Sequence, residues 1–272
     1  FNEYKVEKEF VYGSAIVNIE MGYELVNGVL APVKEIHVLH DEDTHKSPLL
    51  ESAITEALPD WDKLEKEYGF EVPSMQSIWF GRQERIFGNE QERDALKAYT
   101  QKAIDFAASI GCKNLVFGCP RNRAVPEGMS KALALPFFKE LSIYAAEKGT
   151  VIGMEANPPI YNTNYINDTK EALELLKQVE VPGFGLNLDV GTMICNHEAV
   201  EILEGHAAEI SHVHISEPGL KPIEKRGLHK ELAAFLKENR YLGFVSIEMG
   251  RQEVFEQMAL EEIMCYVKEI FE

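Results

Sequence analysis

The chain has few cysteines and no long apolar run, and these shortages narrow the class of protein. Its four cysteines, among 272 residues, include no Cys-x-x-Cys pair, so buried free thiols are the expected state. Free thiols fit a reducing compartment, and we expect a cytoplasmic protein. No apolar run reaches the roughly 18 residues that a membrane-spanning helix needs, and no signal peptide is visible.

Basic residues are also scarce. The chain has 27 lysines and arginines against 45 aspartates and glutamates, which gives a formal net charge of -18. Such a chain repels phosphate backbones at long range, so neither nucleic acid nor a membrane is expected as a partner. Hydrophobic residues make up 45% of the chain, which is enough to bury a full core at this length. The sequence is also compatible with a homo-oligomer.

From residue 70 onward, short apolar segments alternate with longer segments of helical periodicity, the pattern of a parallel sheet. The predicted strands are 72–79, 114–117, 150–154, 184–188, 210–215 and 244–247. The predicted helices are 90–110, 130–148, 169–179, 198–209, 228–240 and 254–271. We therefore predict an α/β protein, a (β/α)₈ TIM barrel that forms one domain over residues 1–272. The first βα unit of the barrel would be irregular or incomplete if residues 1–69 do not form a regular strand and helix.

The first 69 residues are less regular. Residues 29–38 are predicted to form one strand and residues 52–68 a helix, while residues 6–20 fit either a helix or a strand-rich segment. Histidines and acidic residues between His37 and His45 resemble a metal cluster in composition. A solvated loop is the better prediction, because no strand framework would fix their side chains.

Four ionisable residues follow or end predicted apolar strands: Glu155, Asp189, His214 and Glu248. Singly, each also fits a salt bridge, a turn cap or a core histidine. In a barrel, however, the carboxyl ends of all strands meet on one face. Three carboxylates placed together repel one another, and a divalent cation relieves that repulsion. We predict one shared metal ion, Mn²⁺, Mg²⁺ or Co²⁺, with Zn²⁺ as an alternative, because the donors are mostly oxygens.

Candidates for substrate binding with a weaker sequence signal lie at the ends of the earlier strands. Gln76 and Trp79 end the first clear strand, and Trp79 would form an apolar wall against a sugar ring unless it belongs to the core. Arg121 and Arg123 follow another strand end. Paired guanidiniums there would bind a sugar phosphate, with a surface salt bridge as the alternative.

Three further candidates flank the four-residue set. Asn157 is close to Glu155 and could bond a substrate hydroxyl. Glu217 would orient His212 or His214 as a hydrogen-bond partner. His212 lies two residues before His214 and therefore points the same way, so it would line the site without ligating.

These residues stand in segments that resemble a known superfamily over residues 70–270. Glu155-Ala-Asn-Pro, Leu188-Asp189, His212-Val-His-Ile-Ser-Glu217 and Ile247-Glu248 are similar to the xylose-isomerase-like TIM-barrel superfamily. It includes ketose 3-epimerases, sugar-phosphate isomerases and epimerases, inosose dehydratases and endonuclease IV enzymes of AP endonuclease family 2 type. In ketose epimerases these four positions hold the metal, and the two glutamates move protons. The resemblance implies catalytic roles for Glu155 and Glu248.

Three positions depart from the epimerase pattern. Thr192 stands where a histidine usually follows the aspartate, Leu220 stands where many have an arginine, and Tyr161 replaces a glutamate. The substrate pocket is therefore expected to differ from theirs.

The expected activity is a metal-dependent isomerase or epimerase of a small sugar or sugar phosphate. The metal would act as a Lewis acid that stabilises an enediolate. One glutamate would remove the proton beside the carbonyl, and the other would return it. An inosose-dehydratase-like lyase and a non-catalytic sugar-binding barrel are alternatives. An endonuclease IV-like enzyme is disfavoured, because it needs further histidines and the chain is acidic.

Overall fold

The computed structural model describes residues 72–76, 78–250 and 257–271, together with five short strands between residues 10 and 39. These strands are β1 Phe10–Tyr12, β2 Ala15–Asn18, β3 Tyr23–Val26, β4 Val29–Pro32 and β5 His37–Leu39. Strands β1, β2 and β5 form an antiparallel sheet, and β3 pairs with β4 as a hairpin.

The strand-rich alternative for residues 6–20 is therefore the correct one. The single strand predicted over residues 29–38 is wrong, because β4 and the start of β5 both fall within that range. The helix predicted over residues 52–68 lies outside the described residues. So does most of the segment from His37 to His45, of which the structure describes only β5.

A six-stranded parallel sheet follows, and its strands stand side by side in sequence order. They are β6 Ser74–Met75, β7 Asn114–Phe117, β8 Val151–Glu155, β9 Phe184–Asp189, β10 Ile210–Ile215 and β11 Val245–Ile247. Each strand pairs in parallel with the next. Helical segments connect consecutive strands, so all six carboxyl ends lie along one edge, as the barrel prediction requires.

The α-helices of the described residues are α1 Glu90–Ser109, α2 Ala134–Glu147, α3 Thr169–Val179, α4 Val190–Cys195, α5 Gly227–Glu238 and α6 Gln257–Phe271. The predicted start of α3 is confirmed, since the Asp168 carboxylate accepts the Glu171 backbone N–H at 2.7 Å. The helix predicted over residues 198–209 is wrong. Two short 3₁₀ turns, Val200–Leu203 and Ala207–Glu209, stand there instead, separated by Gly205 with φ +80°.

The core contains Trp79, which corrects one site prediction. Its indole is 1% exposed and lies edge-on to Phe117 and Phe137, with ring centroids 4.5 and 5.6 Å away. The indole N–H donates to the Thr100 hydroxyl at 2.8 Å. Because the indole is buried and its only donor is satisfied, Trp79 cannot form the sugar contact expected of it. Of the helices described, none is both long and apolar enough to cross a membrane.

Candidate metal centre

The four residues predicted to share a metal lie on four neighbouring strands. Glu155 and Asp189 are the last residues of β8 and β9, and Glu248 directly follows β11. His214 is the last residue but one of β10, where it pairs with Asp189 across the sheet. Parallel register thus places all four side chains at the carboxyl edge, and one ligand atom from each lies within 4.8 Å of the others.

The size and chemistry of this cluster fit one divalent ion. Atoms that bind an ion at about 2.0–2.6 Å can lie no farther apart than about twice that distance, and these atoms meet that limit. Three carboxylates and one imidazole suit Mn²⁺, Mg²⁺, Co²⁺ or Zn²⁺.

The charge of the cluster also favours a cation. His214 Nδ1 lies 3.0 Å from Glu155 Oε1 and 3.3 Å from Glu248 Oε2. Burial opposes protonation of the imidazole, but hydrogen bonds and the negative charge of both glutamates outweigh it and raise the pKa of His214 to about 10. Burial and the charge of Glu155 raise the pKa of Asp189 to about 6. The three carboxylates therefore favour positive charge at this point, which a bound metal would supply in place of a proton on His214.

Backbone and hydroxyl donors fix the Asp189 carboxylate. One oxygen accepts the Thr192 N–H at 2.6 Å, which caps α4, and the other accepts the Ser216 hydroxyl at 2.5 Å. The Thr192 hydroxyl donates to the Ala156 carbonyl at 2.8 Å. Thr192, at the position where the epimerases that the chain resembles usually have a histidine, therefore has a structural role here.

Two buried amides fix the Glu155 carboxylate. Asn187 Nδ2 donates to Oε1 at 2.8 Å, and Asn157 Nδ2 donates to Oε2 at 3.1 Å. A Cβ at Gly118 would lie 2.8 Å from Oε2, so only glycine leaves room for the carboxylate. Asn157 thus contacts Glu155, whereas its expected bond to a substrate hydroxyl stays a prediction.

Asn187, which was not predicted as a site residue, is fully buried in β9. Its side-chain oxygen accepts a hydrogen bond from Asn114 Nδ2 at 3.3 Å, and Asn114 also donates to the Ser74 hydroxyl at 2.9 Å. A signal was present, because Asn187 lies two residues before Asp189 and side chains two apart on a strand share a face.

The paired arginines predicted to bind phosphate do not act as a pair. Arg123 is fully buried, and its guanidinium donates to the Glu155 carbonyl and to Asn157 Oδ1, both at 2.8 Å, and to the Ile166 carbonyl at 3.2 Å. Arg121 is exposed. The Arg123 guanidinium is occupied by its hydrogen bonds to the segment around Glu155. The prediction that Arg121 and Arg123 bind a phosphate together is therefore wrong.

The prediction for Glu217 is also wrong. Its carboxylate forms a two-point ion pair with Arg226, at 2.7 and 2.6 Å, and orients neither histidine. His212 is buried beside His214, with ring centroids 5.2 Å apart, and its Nε2 lies 2.9 Å from the Ser246 hydroxyl. Burial and the neighbouring His214 lower the pKa of His212 to about 4, so its ring is neutral.

The proposed substrate roles of His212 and Gln76 stay predictions. His212 lies beside the cluster but is not one of its four residues. Gln76 is half-buried just after β6.

Several solved structures resemble this chain. The 3-keto-D-glucoside 4-epimerase of E. coli is 18% identical, with a TM-score of 0.63, and the match covers 81% of this chain and 86% of that one. The D-psicose 3-epimerase of Clostridium cellulolyticum H10, solved with D-tagatose, is 13% identical, with a TM-score of 0.59 and coverage of 70% and 75%. The IolI protein with a bound zinc atom is 19% identical, with a TM-score of 0.54 and coverage of 82% and 83%.

At these identities the likeness shows a shared fold. No curated protein matches the chain significantly. The family model for the xylose isomerase-like TIM barrel matches residues 31–268, which include all six parallel strands and the four clustered residues. The chain therefore belongs to the xylose isomerase-like TIM-barrel family.

Proposed function

We propose that the chain is a divalent-metal-dependent isomerase or epimerase that moves the proton beside the carbonyl of a small sugar. The observation that supports this most is the convergence of Glu155, Asp189, His214 and Glu248 on one point. Two structures of the same fold are named as sugar epimerases, which agrees with this chemistry.

The four clustered residues would hold the metal, and the bound ion would supply a Lewis acid to the sugar oxygens. The oxygen-rich donor set favours Mn²⁺, Mg²⁺ or Co²⁺. Zn²⁺ stays an alternative, and the IolI protein of the same fold binds zinc.

The two glutamates differ in their freedom to accept a proton. Both oxygens of Glu155 already accept an amide hydrogen bond. The Glu248 side chain is 21% exposed against 11% for Glu155, and the structure gives its carboxylate no amide donor among the described residues. We therefore assign Glu248 as the base that removes the proton. In an epimerisation Glu155, protonated beforehand, donates its own proton to the opposite face of the carbon, and proton exchange with solvent then restores both glutamates. In an isomerisation Glu248 alone removes the proton and delivers it to the neighbouring carbon.

The endonuclease IV alternative has less support from the site. Within the described part of the chain, the four-residue group is the only cluster suited to a metal. Thr192 is bonded to the backbone, and burial raises the pKa of the Cys119 thiol to about 12, so that this thiol does not offer a metal-binding thiolate.

Solvent exchange tests the proposal and does not require the product to be identified. The protein is loaded with Mn²⁺ and incubated in D₂O with a panel of ketoses and ketose phosphates, and NMR follows loss of the proton beside the carbonyl. We expect exchange for at least one sugar, and its disappearance when the metal is removed by a chelator. Exchange that survives metal removal, or no exchange with any sugar, would contradict the proposal.

A further inference from the structure

Tyr161 is a second polar group at the edge of the cluster. It ends the 3₁₀ turn Pro159–Tyr161, which follows Glu155 at the carboxyl end of β8. Its hydroxyl accepts the Gly219 backbone N–H at 2.9 Å. Gly219 belongs to the turn after β10, the strand that presents His214. The phenol therefore bridges the strand-end segments of two clustered residues.

The phenol keeps its proton at neutral pH. Tyr161 is partly buried, and burial together with the negative charge of Asp189, Glu248 and Glu155 raises the pKa of its hydroxyl. Tyr161 lies in the segment that follows β8, and its hydroxyl bonds the turn that follows β10, so it stands at the carboxyl edge of the sheet, the edge that carries the four clustered residues. A protonated phenol beside a carboxylate cluster can donate a hydrogen bond to a ligand there.

The turn that holds the hydroxyl is itself anchored. Leu220 N donates to the Glu217 carbonyl at 2.8 Å, and the Leu220 carbonyl accepts the Gly250 N–H at 2.7 Å. Glu217 is fixed in turn by its ion pair with Arg226. The residues on either side of Gly219 are therefore held in place, and so is its backbone N–H. That N–H occupies one acceptor position of the phenol oxygen.

A phenol can both accept and donate a hydrogen bond. The Gly219 amide uses the acceptor function of Tyr161. Among the described residues, no hydrogen bond uses its donor function. The hydroxyl proton is therefore available for an oxygen atom that enters the site.

We propose that Tyr161 is a further catalytic residue, whose hydroxyl donates a hydrogen bond to one oxygen of the sugar held at the four-residue cluster. This inference rests on the proposed function. A donor fixed in advance stabilises negative charge that develops on that oxygen during proton transfer. It also selects sugars that have an oxygen at that position, because a sugar without it leaves the partly buried donor unmatched.

The test compares Tyr161→Phe with Tyr165→Phe in the Mn²⁺-loaded protein. Tyr165 is a matched control, since it is 3% exposed and packs edge-on to Phe87 with ring centroids 5.3 Å apart. Binding of the ketose that the wild type exchanges fastest is measured by calorimetry, together with kcat and KM for solvent exchange. We expect Tyr161→Phe to keep its metal and its Tm, to bind about tenfold more weakly, and to lose about 10- to 100-fold in kcat/KM.

Binding of monodeoxy ketoses identifies the sugar oxygen that Tyr161 contacts. A purely structural role of Tyr161 would not make binding depend on one particular oxygen. One deoxy position should weaken binding to the wild type by about tenfold, and it should have no effect in Tyr161→Phe. This series on the wild type also tests the proposal if the variant does not fold, since binding that tolerates loss of every oxygen contradicts it.

The outcomes separate two failures. An active wild type with a Tyr161→Phe variant within twofold of it in binding and turnover overturns the role of Tyr161 alone. Equal losses in Tyr161→Phe and Tyr165→Phe do the same, because they show a general packing effect. A wild type that neither binds nor exchanges any ketose overturns the proposed function, and the role of Tyr161 with it.

Discussion

Replacement of Glu248 by glutamine separates metal binding from proton transfer. Glutamine has nearly the same shape, and its side-chain oxygen can still ligate, but it cannot accept the substrate proton. Glu248 Oε2 lies 3.3 Å from His214 Nδ1, and no amide donor competes for it in the part of the chain that the structure describes. The neutral side chain should therefore fit, and we expect the variant to keep its metal while turnover falls by about 10²–10⁴-fold.

The same change at Glu155 should act differently. Asn187 Nδ2 and Asn157 Nδ2 each donate to one oxygen of this carboxylate. A glutamine amide must turn its own NH₂ toward one of these donors, whichever way it is placed. A buried donor left without an acceptor costs about 1–3 kcal/mol. Glu155→Gln should therefore lose affinity for the metal by about 5- to 150-fold, in addition to any loss of turnover.

The assay measures bound metal by elemental analysis, metal affinity by titration with Mn²⁺, and exchange of the carbonyl-adjacent proton in D₂O. Glu174→Gln is the control, because the Glu174 side chain is 59% exposed on α3 and pairs only weakly with Lys170 at 4.0 Å. Full exchange in a metal-replete Glu248→Gln protein would refute the assignment of Glu248 as the base. Equal metal affinity in both glutamine variants would refute the distinction drawn between the two glutamates.

Three further perturbations test how the site is built. His214 must release its proton before the ring nitrogen can ligate, so Mn²⁺ affinity should rise about tenfold per pH unit between about pH 6 and pH 9; a flat titration contradicts this. Gly118→Ala should weaken Mn²⁺ binding by about tenfold, because its Cβ would lie 2.8 Å from Glu155 Oε2; unchanged affinity would show that the carboxylate can move. Arg123→Met should lower the free energy of unfolding by at least about 1–3 kcal/mol in denaturant melts, whereas Arg121→Met, at an exposed position, should change it by less than about 0.5 kcal/mol. Equal melts for both variants would contradict the buried role of Arg123.

The four-residue cluster could be predicted because each of its members interrupts or directly follows an apolar strand at its carboxyl end. A charged side chain in that position needs a partner, and the barrel prediction supplied the common edge where Glu155, Asp189, His214 and Glu248 meet. Helix α3 was equally predictable, because Asp168 provides a local cap for the first turn. The cap and the position of each charged residue at a strand end are local features of the sequence, and only the common edge required a prediction of the fold.

The failed predictions of site residues concern large side chains whose direction depends on tertiary contacts. Nothing near Arg123 in sequence shows that its guanidinium reaches carbonyls and an amide more than 30 residues away. Glu217 pairs with Arg226, the residue that precedes the first turn of α5. Trp79 meets Phe117 and Phe137 only once the sheet and helices have packed. Sequence patterns indicate which residues lie near a strand end, but not where a flexible or bulky side chain points.

Anomalous diffraction from crystals grown with Mn²⁺ tests the central claim most directly. The account predicts one strong anomalous peak per chain, about 2.0–2.6 Å from an oxygen of Glu155, Asp189 and Glu248 and from a ring nitrogen of His214. It also predicts that the peak remains in Glu248→Gln. A Mn²⁺ peak elsewhere, or none at the carboxyl ends of β8 to β11, would contradict the assignment of these four residues as a metal centre.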